Sequence, residues 1–152
     1  MARVKAVLIA HGLEDTIVEF SASTRTSAEA AAAIGCTIAQ IAKSLVFASE
    51  ETDRPILVIA SGANRVDQQK LATALGERVR KPDALWVRDK TGFAIGGVAP
   101  VGHITSPSIF IDEDLLNLDP IWAAAGQPNA VFRLTTKDLI RITNGQVLNL
   151  KP

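Results

Sequence analysis

The sequence is short of the residues that most often carry chemistry on their own. Cysteine occurs once, at Cys36, tyrosine is absent, and there are only two histidines, His11 and His103. One cysteine excludes an internal disulfide and any multi-cysteine zinc site, and, as a separate expectation, neither a metal nor an organic cofactor takes part. Cys36 lies among Ile34, Gly35 and Thr37, where a small side chain at a helix junction is its expected role. No apolar run approaches the ~18 residues of a membrane span. The run Ala6 to Ala10, before His11, Glu14 and Asp15, is too short for the core of a secretory leader. A reduced, cytoplasmic setting is the expectation. Net charge is lacking too: Lys plus Arg and Asp plus Glu number 16 each, so no global field draws the chain to nucleic acid or membrane.

What is present is a chain of 152 residues with 47% hydrophobic and 21% charged residues, enough for one domain with a proper core, taken here as 1–152. Its charge is segregated. Arg65, Lys70, Arg78, Arg80, Lys81, Arg88 and Lys90 face four acids between 65 and 90, whereas Asp112, Glu113, Asp114 and Asp119 cluster without a base. Each cluster alone reads as a solvated face; a basic face can also meet phosphates.

Val4, Val7, Leu8 and His11 share one helical face, ended by Gly12. Thr16 to Phe20 reads as a short strand. Ser27 is the expected N-cap of an alanine-rich helix running to Ile34, and Thr37 caps a short helix over 38–41. Lys43 to Ser49 and Pro55 to Ala60 read as strands, the second apolar on both faces as in the middle of a sheet. Asp67 caps a helix over Gln68 to Leu75, stopped by Gly76, and Pro82-Asp83 open another to Lys90. Strands are expected from Val101 to Thr105, Ser108 to Asp112, Pro120 to Ala125 and Ala130 to Leu134. A helix from Lys137 to Ile142 and a terminal strand follow. Early alternation of strands and helices, then clustered strands, implies a mixed α/β fold: a curled mixed sheet or barrel surrounded by helices.

The most informative stretch is Thr91 to His103, which holds four of the ten glycines, a proline and a histidine. Such a loop is either a tight turn or a place where backbone approaches a ligand closely and turns N–H groups toward a phosphate or an oxyanion.

Three segments taken together resemble the YbaK/EbsC family: Cys36 to Phe47 with Lys43, Ile56 to Lys70 with Arg65 and Asp67, and the Gly-x-x-x-Pro loop Gly96-Gly97-Val98-Ala99-Pro100. The resemblance spans roughly residues 10 to 143. It implies the fold of the editing domain associated with prolyl-tRNA synthetases, and a freestanding aminoacyl-tRNA deacylase that hydrolyses a mischarged ester, commonly on tRNA for proline. The general look of Gly96 to His103 is closer to the branch that removes alanine or a similarly small residue; serine, cysteine and 2-aminobutyrate remain open. The resemblance implies that Lys43 holds the terminal adenosine, its phosphate or the substrate backbone rather than acting as base. Gly96 to Ala99 would supply backbone donors, and the substrate's ribose 2′-hydroxyl would assist. His103 is a candidate for orienting water. The pocket is expected to involve Ser27, Ala30, Ile34 and Phe47, with Ser61, Gly62 and Asp112 as further substrate contacts, Asp112 toward the α-amino group. Arg65, Arg78, Arg80 and Lys81 are the expected tRNA-facing cations. The implied partners are the aminoacylated 3′ end of a tRNA and prolyl-tRNA synthetase, without a membrane; monomer and homodimer both stay open. The alternative is a non-catalytic module of the same fold that binds aminoacyl ends or a synthetase. A nucleotide-binding protein ranks lower, because neither Gly-x-x-x-x-Gly-Lys-Ser/Thr nor Gly-x-Gly-x-x-Gly occurs.

Overall fold

A computed structural model describes residues 1–13 and 16–152; Glu14 and Asp15 lie outside the described residues. Among the described residues five helices, α1 (Ala2–Ala10), α2 (Ser27–Ile34), α3 (Gln68–Leu75), α4 (Ala84–Thr91) and α5 (Thr136–Thr143), accompany eight strands. The strands are β1 (Val18–Glu19), β2 (Ile41–Ser49), β3 (Pro55–Ser61), β4 (Val79–Arg80), β5 (Ser108–Asp112), β6 (Ile121–Ala124), β7 (Ala130–Leu134) and β8 (Gln146–Leu148). Short 3-10 turns cover Ile38–Gln40 and Glu113–Asn117. Among the described residues no helix is long and apolar enough to cross a membrane.

All strands join one mixed sheet in the order β1-β7-β6-β2-β3-β5-β8, with β4 pairing β2. Strand β3 lies in its interior: it runs antiparallel to β2, with Lys43 opposite Ala60 and Phe47 opposite Ile56, and parallel to β5. Its residues are all buried, as expected for a strand without a polar face. The pleat sends Leu57 and Ile59 to one side, against Val4 and Leu8 of α1, Val87 of α4 and Leu139 of α5. Ile56, Val58 and Ala60 go to the other, against Leu71 of α3, Phe110 and Leu150. Ala30 and Ala31 of α2 pack with Ile41 in a third, smaller cluster that includes the junction residue Cys36. Burial raises the pKa of that thiol, which therefore stays protonated rather than nucleophilic.

Two sequence expectations need correction, and two short elements form without a sequence signal. The α2 N-cap is Thr26, not Ser27: the Thr26 hydroxyl accepts from Glu29 N–H and the Glu29 carboxylate accepts from Thr26 N–H. This reciprocal box outcompetes a cap one residue later and frees the Ser27 hydroxyl. Val101 to Thr105 is not a strand. Ile104 and Thr105 instead donate their amides to the carbonyls of Thr91 and Lys90, which the end of α4 leaves without helical partners. Finally, β4 and the turn over Glu113–Asn117 form where the sequence shows no strong periodicity; β4 makes only the two pairs Ala48–Arg80 and Ser49–Val79.

The cap assignment is testable. Thr26→Ala should lower unfolding free energy in urea by about 1 kcal/mol, whereas Ser27→Ala should stay within about 0.5 kcal/mol of the parent. The reverse order would return the cap to Ser27.

Candidate active site

Strand β2 is nine residues long, but its edge away from β3 is paired only at its ends. Ile41 and Ala42 pair β6, and Ala48 and Ser49 pair β4. Between them, from Lys43 to Phe47, no strand covers this edge among the described residues, and Lys43 to Val46 are only half-buried while both flanks are buried. The loop after α4 crosses this gap. Ile95, Gly96 and Val98 line it together with Lys43, Ser44 and Leu45.

The gap opens into two connected chambers. One, of about 590 Å3, reaches Phe47, Arg65, Val66, Lys81 and Pro82. The other, of about 670 Å3, is bounded by Thr26, Ser27 and Ala30 of α2, by Trp122 and Ala124 of β6, and by Val131 of β7. The charged residues lining either chamber are Arg25, Lys43, Arg65 and Lys81. Among the described residues no carboxylate lines them, although the chain carries as many acids as bases.

Lys43 sits where the chambers meet. Its Nζ donates to the main-chain carbonyl of Asn64 at 2.5 Å. Burial holds its pKa below the ordinary lysine value, and the negative charge of Asp112 partly offsets this. An ammonium with one N–H fixed retains two donors for a ligand. Beside it, the buried Ser44 hydroxyl has no hydrogen-bond partner. A buried polar group left unmatched costs ~1–3 kcal/mol.

Within the glycine loop the residues alternate in role. Gly96 and Val98 line the cleft, and among the described residues their amides have no protein acceptor. The Gly97 amide is already used, donating to Ala94 O at 2.9 Å. Gly97 is instead required by packing: a Cβ there would lie 2.8 Å from the Gln127 main chain, so the loop and the β6–β7 hairpin could not approach as they do. Ala99 and Pro100 are buried behind the loop. The donors available to a ligand are thus those of Gly96 and Val98 rather than the whole run.

His103 stands behind the loop, outside both chambers, beside Pro100 and Val101. Its Nε2 lies 2.6 Å from Ala99 O; because a carbonyl can only accept, Nε2 carries the proton and the buried Nδ1 is bare. The ring also meets Phe93 edge-on at 5.3 Å. This arrangement locks the loop in place.

The other expected residues divide similarly. Ser27 and Ala30 form the α2 wall, and Phe47 is the 2% exposed floor of the smaller chamber. Ser61 is buried, its hydroxyl donating to Ala39 O and its amide to Asp112. Gly62 donates to Ile41 O, and Asp112 is 1% exposed. These three support the turn that meets Lys43 from behind and do not line the cleft. Of the basic residues, Arg65 and Lys81 reach it. Arg80 is paired with Asp53 at 2.9 Å and Arg78 with Glu50 at 3.7 Å. The sequence reading missed Arg25, Thr26, Ser44, Trp122, Ala124 and Val131. An orphaned Ser44 hydroxyl has no sequence signature, and β6 meets β2 from some eighty residues away, bringing β7 with it.

His103 carries a pH prediction. Burial lowers its pKa below 6.5, with the bond to Ala99 opposing. A folded-state pKa below the unfolded one contributes stability that is fully present above the unfolded value and is lost as pH falls through the folded one. The parent should therefore lose melting temperature from pH 7.5 toward acid more steeply than His103→Gln; parallel curves would show that the ring titrates alike in both states.

Comparison with known proteins follows the same lines. A family model for the aminoacyl-tRNA editing domain matches residues 21–142. The "Uncharacterized protein YwhH" of Bacillus subtilis (strain 168) is 34% identical over 134 residues, covering 88% of this chain and 85% of the relative. The crystal structure of "a putative trans-editing enzyme for prolyl tRNA synthetase" superposes with a TM-score of 0.92 at 45% identity, covering 99% of this chain and 96% of that one. A scaffold used for computational grafting of linear epitopes superposes with a TM-score of 0.91 at 43% identity, with the same coverage. The order of strands, the lysine at the sheet gap and the glycine–proline loop thus sit in a chain that belongs to the aminoacyl-tRNA editing domain family.

Proposed function

We propose that the protein is a freestanding deacylase that hydrolyses the ester of a small, mischarged amino acid on a tRNA, with tRNA for proline as the first candidate. The observation that carries this reading is the cleft itself: a neutral chain concentrates Arg25, Lys43, Arg65 and Lys81 on it, with no carboxylate in its lining among the described residues. Such a lining suits an anionic, single-stranded nucleic-acid end.

An aminoacyl ester is already activated, so hydrolysis needs a held carbonyl, a placed water and donors for the oxyanion more than it needs a strong nucleophile. Lys43 supplies a fixed cation and two free N–H groups at the junction of the chambers. The Gly96 and Val98 amides supply neutral donors across the gap. Water adds to the ester carbonyl, the oxyanion is held by these donors, and collapse expels the ribose oxygen, which takes up a proton; the free amino acid and tRNA result. Arg65 and Lys81 take the phosphates of the chain end, while Ala30, Ala124, Val131 and Trp122 bound the amino-acid side. Small apolar walls favour a small side chain, although one methylene changes discrimination by only ~1–3 kcal/mol.

The purified protein should deacylate tRNA for proline charged with alanine, serine, cysteine or 2-aminobutyrate faster than it deacylates the prolyl form. Lys43→Ala should slow this by about 100-fold or more. Tight binding of an aminoacylated end without hydrolysis would instead identify a binding module. Lys81→Glu and Arg65→Glu should each raise KM and reduce the slope of log KM against log salt by about one. Arg80→Glu, whose parent charge Asp53 already neutralises, should do so less.

A further inference from the structure

We propose that Asp112 is a positioning residue for Lys43: its carboxylate fixes the Ser61–Asn64 turn so that the Asn64 carbonyl faces the Lys43 ammonium, with Asp112 as the counter-charge behind it. The inference rests on the reading of the cleft as the active site and adds to it a residue that never touches the substrate.

Parallel pairing of Ile59 with Ile111 brings the ends of β3 and β5 side by side. There Asp112 Oδ2 accepts from the Ser61 amide at 3.1 Å and from Asn64 Nδ2 at 2.8 Å. Capping of the turn over Glu113–Asn117 uses only Oδ1, which accepts from the Asp114 amide at 3.0 Å. A local cap would need nothing more, yet the second oxygen reaches back some fifty residues to hold the turn under Lys43. The Asn64 carboxamide is clamped twice, since Nδ2 also donates to Asp114 Oδ2 at 2.8 Å, and Lys151 holds Asp114 at 3.0 Å. With its amide bonded to Ser61 O and its side chain fixed by two carboxylates, Asn64 can aim its carbonyl in one direction, at Lys43 Nζ.

The surroundings explain why a buried carboxylate is placed here. Arg25, Arg65 and Lys81 line the cleft with Lys43, and burial opposes the positive charge of Lys43. Asp114 is engaged by Lys151, and Asp112 acts electrostatically on Lys43 in the opposite sense. A charge taken from water is retained where such pairing or function requires it.

The test follows the Lys43 side chain directly, through the pH dependence of its 13Cε resonance, assigned by loss of the peak in Lys43→Arg. Asp112→Asn replaces an acceptor by an amide that opposes the Ser61 and Asn64 donors. Asn64→Ala keeps the carbonyl but removes its clamp, and reads the same relay from the half-buried end if the first variant folds poorly. In both, the Lys43 midpoint should move to lower pH, and kcat for deacylation should fall about tenfold with a smaller change in KM. An unmoved midpoint in the folded variants overturns the relay, even where melting temperature and activity fall together, because that pattern is the signature of a structural cap alone. A shifted midpoint in a protein that deacylates none of the charged tRNAs sustains the relay and refutes the deacylase reading.

Discussion

The site depends on an interruption in a hydrogen-bond ladder. Strand β2 is held along one edge by all of β3, but on the other by β6 at its start and β4 at its end, which leaves Lys43 to Phe47 uncovered. Backbone groups on a strand edge must find partners, and those here are offered to a cleft. The fully buried β3 makes this possible. It anchors β2 against two apolar layers, so the open stretch keeps its extended shape without a neighbour on the other side. Helix α2, the loop after α4 and the β6–β7 hairpin then form the walls.

Charge is distributed by the same logic. A chain with equal numbers of acids and bases generates little long-range attraction, so recognition of an anion has to be local. The acids of the β2–β3 connection, Glu50 and Asp53, pair with Arg78 and Arg80 and remove those cations from consideration. Glu77 is likewise engaged by Arg54 and the Ser49 hydroxyl, which lower its pKa. The cations that line the cleft, Arg25, Lys43, Arg65 and Lys81, are not among those pairs. Burial of Lys43 is the cost of this concentration, and the turn behind it supplies the compensating carbonyl.

Much of the fold is legible in the sequence where one local signal dominates. The unbroken apolar run of β3 and the Asp67 cap with its Gly76 stop are both observed, because neither has a competing local interpretation. The errors fall where two adjacent signals compete or where a partner is distant. Thr26 and Ser27 are both good caps, and the choice lies with Glu29. Val101 to Thr105 has strand composition, but the orphaned carbonyls ending α4 claim its amides. Lys43 and the glycine loop stand out in sequence by residue type, whereas Trp122, Ala124 and Val131 join them only through the pairing of β6 with β2. Asp112 shows the same limit: its residue type announces a charge, but only the packing of β5 beside β3 reveals that the charge points inward.

The brevity of the open edge has its own consequence. Exposed strand edges invite pairing with strands of other chains, and proteins usually blunt them with charge, bulges or covering elements. Here the opening is five residues long, stopped at both ends by paired strands, bridged by Ile95 to Val98 and lined with cations. A neighbouring chain would have to enter as a short isolated segment, without the flanking pairs that make such addition cooperative, and past like-charged groups. The recess can therefore leave backbone donors and acceptors open to a small ligand while denying them to another sheet, which reconciles an unfinished strand with resistance to aggregation.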